Sequence, residues 1–418
     1  MKTFFVESFG CTLNQSDGQK IERFLEQNGF KRARKEKAKL LVLNTCAVKQ
    51  ATEHHMVREA EKLSQLARKN RAQFIITGCL PKVNFKRLQS VAPNAVQFGP
   101  GLKGFEELLG VSAKKMKTKT PARAQPISII PISNGCLNAC AYCATKLARG
   151  NLKSVSEKEI LDQIRNGLPS AQEFWLTATD CGAYGFDKGT NLAELAEKIL
   201  QIDGQFRVRV GMLNPQHARK YWNELLEAMQ DPRFFQFIHL PIQSGSNTVL
   251  KNMKRGYTAE QCLKLVERAR SALPDATIAT DIIVGFPGET EKQFEETMHA
   301  IQKMKPDVAN ISKYGARPGT SAARLPQVLD KVKNARSKKL SELCHKISLQ
   351  QNRRMEGRTE LVLVDEKGKS GTMKARTQNY KTVVLKKAKL GEWKKVRLEK
   401  AFPNYLTAKS VSRPFEYK

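Results

Sequence analysis

Gly135-Cys-Leu-Asn-Ala-Cys-Ala-Tyr-Cys143 sets three cysteines, Cys136, Cys140 and Cys143, in a Cys-x3-Cys-x2-Cys pattern within one short loop. Three thiolates at this spacing fit three corners of a cubane iron–sulfur cluster and leave the fourth iron open. A zinc site ordinarily wants a fourth Cys or His, and the next cysteine, Cys181, is far along the chain. Clustered core thiols are the bland alternative. A disulfide framework fits poorly with nine cysteines, an odd number, in a chain of 418 residues. An open iron of this kind can be chelated by S-adenosylmethionine, whose sulfonium one electron then cleaves to a carbon radical.

Upstream of this loop, three β-like runs each lead to a cysteine. Phe4–Gly10 precedes Cys11, Leu40–Thr45 precedes Cys46, and Phe74–Gly78 precedes Cys79. The second and third are continuous apolar runs, as in buried parallel strands, and helical stretches (Ser16–Asn28, Thr52–Arg71) lie between them. Strand–helix–strand alternation gathers the loops after parallel strands at one edge. Cys11, Cys46 and Cys79 are thereby expected to form a second three-thiolate site. The competing reading is three unrelated cysteines at strand ends.

Downstream, strand candidates alternate with helices from Pro126 to about Ala323. The strands are Ile127–Ile132, Phe174–Ala178, Phe206–Val210, Phe237–Leu240, Thr277–Val284 and Val308–Lys313. Six βα units predict an α/β open, partial barrel with its site at the strand C-termini. The tail, Arg353–Lys418, alternates apolar and polar residues and predicts a small antiparallel β barrel. The expected organisation is an N-terminal parallel α/β domain over 1–112, a basic linker over 113–125, a barrel core over 126–352 and the small barrel over 353–418.

Charge points to the partner. Lys and Arg number 72 against 40 Asp and Glu, a net of +32. A solvated basic face is the ordinary reading of any one Lys run, but an excess of this size suits a polyanion, most simply nucleic acid. The tail holds 18 Lys and Arg against 7 Asp and Glu, with Tyr380 and Trp393 interleaved, which favours an RNA-gripping barrel over a merely stapling one. No run of about 18 apolar residues is present, so no membrane span is expected. Reduced thiols and the lack of a cleavable apolar leader predict a cytoplasmic protein.

The Cys136 triplet resembles that of the radical S-adenosylmethionine superfamily. The preceding Cys11, Cys46 and Cys79 and the basic tail barrel resemble its methylthiotransferases, the tail being similar to a TRAM domain. Asp180–Gly185, His239–Gly245, Thr280–Glu289 and Arg317–Thr320 match the same family, so the resemblance spans essentially the whole chain. Asn44–Lys49, Gly135–Leu152 and Trp175–Gly185 are closest to the archaeal and eukaryotic branch, which acts on N6-threonylcarbamoyladenosine beside the tRNA anticodon. Two other branches act on isopentenylated adenosine in tRNA and on an aspartate of a ribosomal protein. A rival of another class is a non-catalytic RNA-binding iron–sulfur protein.

The resemblance implies two [4Fe-4S] clusters. Cys136, Cys140 and Cys143 would hold the cluster that binds S-adenosylmethionine, and Cys11, Cys46 and Cys79 an auxiliary one concerned with sulfur. S-adenosylmethionine would supply both the radical and the methyl group, with an electron donor such as ferredoxin or flavodoxin and a sulfur donor the sequence does not specify. Tyr142, Asp180, Gln243, Ser244, Gly285 and Gly288 are the candidate cofactor contacts. All but Asp180 have a plainer alternative: an aromatic cover for Tyr142, core or loop roles for Gln243 and Ser244, and a strand-to-helix turn for the two glycines. His239 reads as a satisfied core histidine, and Cys181, Cys262 and Cys344 read as structural.

Overall fold

The computed structural model describes residues 2–47, 50–111 and 126–411. They fall into two compact units, one of residues 2–47, 50–111, 134–153 and 315–325, the other of 126–133, 154–314 and 326–411. The basic linker expected over 113–125 lies outside the described residues. Among the described residues no helix is long and apolar enough to cross a membrane.

The first unit is built on a parallel sheet. Its strands are β1 (Thr3–Ser8), β2 (Lys31–Arg32), β3 (Leu40–Thr45), β4 (Gln73–Gly78) and β5 (Val96–Gln97), in the order β2-β1-β3-β4-β5. Every residue of β3 is buried, which explains its unbroken Leu-Leu-Val-Leu run. Helices Thr12–Gln27 and Gln50–Asn70 return the chain between parallel strands. Ile21, Phe24 and Leu25 of the first of these pack with Phe4, Leu40, Val42 and Ile75 on one side of the sheet. Leu41, Leu43, Phe74 and Ile76 pack on the other with Met56, Ala60 and Leu63. Both faces are therefore covered, as a parallel sheet requires.

The second unit begins with six parallel strands, as the periodicity predicts. β6 (Ile127–Pro131), β7 (Glu173–Thr177) and β8 (Arg207–Val210) form one sheet, with β7 in the middle. β9 (Phe237–His239), β10 (Thr277–Val284) and β11 (Val308–Lys313) form a second, with β10 central. The six do not make one continuous ladder. Val208 bridges Phe234 and takes the Phe235 N–H at 2.9 Å, but the next amide, Gln236 N–H, goes instead to Gln378 O of the tail at 3.0 Å. One large apolar core, with Phe174, Phe206, Trp222, Ile278 and Phe294 among its members, fills the space between strands and helices.

The tail closes into a five-stranded barrel. Its strands β12 (Thr359–Lys367), β13 (Met373–Arg376), β14 (Thr382–Leu385), β15 (Trp393–Ala401) and β16 (Leu406–Ser410) run in the order β12-β13-β14-β16-β15. Alternate residues such as Val362, Val364, Val383, Val396 and Leu398 fill it. Tyr380 and Trp393 both meet residues outside the barrel. The Tyr380 ring packs 4.7 Å from Phe235 and 5.0 Å from Phe237, with the Arg209 and Arg376 guanidinium groups 5.2 and 4.9 Å from its centre. Arg207 lies over Trp393 at 4.7 Å. Sequence shows aromatics among bases, but these bases belong partly to β8 and draw the rings inward to dock the barrel.

Candidate active site and cysteine clusters

In the first unit, β1, β3 and β4 lie side by side, and the pairings Ser8–Asn44 and Thr45–Gly78 align their C-terminal ends. The three cysteines follow those ends, at the same edge of the sheet. Cys46 and Cys79 are buried and Cys11 faces outward. The Cys11 thiol is hydrogen-bonded with Cys46, which holds its pKa well above the ordinary thiol value. Burial, then the field of Cys11, pushes Cys79 up as well. Gly10 has φ +102°, and a Cβ there would stand 2.5 Å from Cys46 Sγ, so the bare backbone keeps the space around that sulfur clear. Amide side chains lock the loop. Asn44 Nδ2 donates to Asn14 O, and Asn14 Nδ2 to Phe9 O, both at 2.7 Å.

The Cys136 loop belongs to the same compact unit. Its three thiols are half-buried. Cys143 N–H donates to Cys140 O at 3.1 Å, and Cys136 N–H to Gly150 O at 3.1 Å, closing the loop on itself. Lys146 Nζ donates to both Cys136 O and Asn151 Oδ1. From the far end of the chain, Ala322 N–H donates to Ala141 O at 3.0 Å and Ser321 Oγ donates to the same carbonyl. Asn138 Nδ2, between the first two cysteines, is buried with no hydrogen-bond partner among the described residues. Half-buried thiols on a braced loop beside a spare buried donor suit a cluster that exposes one corner. No group of three or more His, Cys, Asp or Glu side chains among the described residues is already drawn together to hold a single metal ion.

The sequence passed over the polar residues that tie these two loops together. Arg149 follows Cys143 by two turns of chain, and its side chain is 2% exposed. Its Nη2 donates to Asp17 Oδ2 at 2.7 Å and to Asn14 Oδ1 at 3.3 Å, both on the helix that starts after Cys11. Burial opposes its charge, but Cys79, Asp17 and Cys11 outweigh that and raise its pKa. Arg317 forms a buried ion pair with Glu53, which also accepts from Asn84 at 2.9 Å. Both arginines lie inside quoted motifs, Gly135–Leu152 and Arg317–Thr320, yet a motif string does not say which acid its arginine meets.

The remaining candidates lie in the second unit. Gln243 has φ +65°, unusual for a residue with a side chain, and its backbone bridges Ile282 just beyond β9. Ser244 Oγ lies 3.2 Å from Thr297 Oγ1 and accepts from Ser246 N–H. Gly285 has φ +72°, and a Cβ there would strike Lys333 Cγ at 2.2 Å, so the close approach is by that lysine stem; around Gly288 a Cβ would meet open space. The Asp180 carboxylate is 2% exposed and fully engaged: Gly182 N–H and Asn214 N–H donate to Oδ1, and His217 Nδ1 lies 2.7 Å from Oδ2. It therefore braces the turn after β7. His239 lies 3.1 Å from Asp281. Cys181, Cys262 and Cys344 are buried thiols whose pKa values desolvation pushes up to about 12, 12 and 11.

Comparison with known proteins agrees with this layout. Residues 130–301 match the radical SAM superfamily, residues 3–99 the uncharacterized protein family UPF0004, and residues 353–411 the TRAM domain. The probable threonylcarbamoyladenosine tRNA methylthiotransferase of Pyrococcus horikoshii is 37% identical, over 99% of this chain and all of that protein. That of Archaeoglobus fulgidus is 39% identical over 96% of this chain and 97% of its own length. The human threonylcarbamoyladenosine tRNA methylthiotransferase is 32% identical over 99% of this chain and 74% of its own. Among solved structures, the radical S-adenosylmethionine methyltransferase TsrM from Kitasatospora setae superimposes with a TM-score of 0.59 at 14% identity, over 77% of this chain and 75% of that one. At that identity the likeness is one of fold. On full-length similarity to relatives of one name, this chain belongs to the threonylcarbamoyladenosine tRNA methylthiotransferase family, within the radical SAM superfamily.

Proposed function

We propose that this protein converts N6-threonylcarbamoyladenosine beside the anticodon of tRNA to its 2-methylthio derivative, in the cytoplasm. The observation that carries this reading is that Cys11, Cys46 and Cys79 follow three adjacent strand ends, in the compact unit that also holds Cys136, Cys140 and Cys143. Radical generation asks for one open cluster; sulfur insertion gives a reason for a second three-thiolate centre. When bound, the two [4Fe-4S] clusters and S-adenosylmethionine supply radical formation, sulfur and the methyl group.

The chain's own residues hold and shape the site. Cys136, Cys140 and Cys143 would grip three corners of one cluster, with Lys146, Asn151 and Ala322 keeping the loop closed behind them. Cys11, Cys46 and Cys79 would grip the other. Tyr142, half-buried within the first loop, would cover the cluster or meet the adenine of S-adenosylmethionine. The positive φ of Gln243 marks it as the strongest cofactor-contacting candidate among the second unit's residues, since such strain persists where the surroundings fix a functional geometry. The exposed lysines of the tail barrel would hold the RNA backbone, and ferredoxin or flavodoxin would supply electrons.

Anaerobic turnover with reductant, S-adenosylmethionine and tRNA carrying threonylcarbamoyladenosine tests the proposal. Mass spectrometry of the digested nucleosides should show the methylthio derivative of that nucleoside. Product on isopentenyladenosine tRNA alone, or on a ribosomal protein alone, would overturn the substrate assignment.

A further inference from the structure

The short helix Thr145–Arg149 begins two residues after Cys143. Ala144 and Ala148 pack in the same cluster as Cys79, Leu80 and Val83. Its last residue, Arg149, places a guanidinium among Asn14, Asp17 and Asn134, with Nη1 donating to Asn134 Oδ1 at 3.1 Å. Asn14 and Asp17 sit on the first turns of the helix that Cys11 starts. The cation is thus wedged between the Cys11 helix and the Cys79 turn, and it is carried by the segment that bears Cys136, Cys140 and Cys143.

We propose that Arg149 is a positioning residue for the Cys11–Cys46–Cys79 centre: a buried cation and hydrogen-bond donor that sets that centre's reduction potential from the loop of the other cluster. The inference rests on the reading of those three cysteines as iron–sulfur ligands. A guanidinium has five donors in a fixed fork. Asp17, Asn14 and Asn134 take part of that fork. Cys79 lies in the field of the same cation, which opposes the rise that burial gives its thiol pKa. A cluster on three thiolates becomes more negative when reduced, and a buried positive charge favours the reduced form.

The test uses full-length protein carrying Cys140→Ala, so that only the second centre contributes, reconstituted anaerobically and titrated against potential by electron paramagnetic resonance. Adding Arg149→Met should lower the midpoint by at least a tenfold change in the oxidised-to-reduced ratio, 59 mV for one electron. Arg149→Lys, which keeps the charge and loses the fork, should shift it the same way by less, with the iron content of the parent retained. If the Met variant does not fold, the Lys variant decides. A midpoint equal to the parent's in every variant that folds would overturn the inference. A parent that binds no iron at all would instead overturn the reading of Cys11, Cys46 and Cys79 as ligands, and the two failures are distinguishable by iron content alone.

Discussion

Arg317 and Glu53 form an ion pair between side chains that are 5% and 4% exposed, although 264 residues separate them in the chain. Five residues beyond Arg317, Ala322 N–H holds the Ala141 carbonyl in the middle of the Cys136 loop. The pair thus fastens the strap that braces the first cluster's loop to the helix following Cys46. Arg317→Ala would leave a buried carboxylate with only Asn84 and Arg87 beside it. Such a change should cost about 3 kcal/mol. The thermal midpoint and iron retention of the reconstituted protein report it, and a variant as stable as the parent would show the strap to be dispensable.

The two cysteine sets predict separable defects. Cys140→Ala removes one ligand from the open cluster and should abolish 5′-deoxyadenosine formation. Cys46→Ala should leave that cleavage in place while stopping methylthio product. Quantifying both species in one anaerobic assay separates the roles, and deoxyadenosine formed at the parent's rate by the Cys140 variant would refute the assignment.

Glu173 predicts a pH effect at the docked tail barrel. Burial, then the neighbouring Asp365, pushes its carboxyl up to about 8, and Oε2 is buried with no hydrogen-bond partner among the described residues. A raised carboxyl keeps its proton in the folded state after the unfolded chain has released it. Its stabilising contribution is therefore complete below about pH 4.5 and is lost as pH rises toward 8. Glu173→Gln should flatten that dependence and gain about 2 kcal/mol over the parent at pH 8. Parallel slopes of thermal midpoint against pH for the two proteins would count against it.

RNA binding should depend on lysines rather than on the tail's docked aromatics. Lys386, Lys387 and Lys389 are exposed on the loop after β14. Changing all three to Gln should weaken tRNA binding and lower the salt slope by about one for each lysine that meets a phosphate. Binding isotherms at several salt concentrations measure this. An unchanged slope would move the RNA-binding face elsewhere.

Much of the architecture was legible because it rests on local pattern. The continuous apolar run of Leu40–Thr45 and the β-branched run of Thr277–Val284 are strands with those same bounds. Cys11, Cys46 and Cys79 lie at one edge of the sheet because the loops after parallel strands gather there. The cofactor-contact candidates were less legible. Gly285 looks like a ligand-facing glycine, yet the group it admits is Lys333, which approaches from a helix about 50 residues later. Asp180 looks available in sequence, but its partners Asn214 and His217 come from the loop after the next strand.

Cysteine spacing, the order of strands and helices, and an excess of positive charge are all written in the sequence, because none of them depends on which residues touch. Which charges are neutralised and which rings are engaged follows from packing in three dimensions. Arg149 meets Asp17, Arg317 meets Glu53, and Tyr380 turns inward between Arg209 and Arg376. The physical reason is that a buried charge must find a partner or an aromatic face. Which partner stands within reach follows from packing over long stretches of chain, where no local periodicity carries the information.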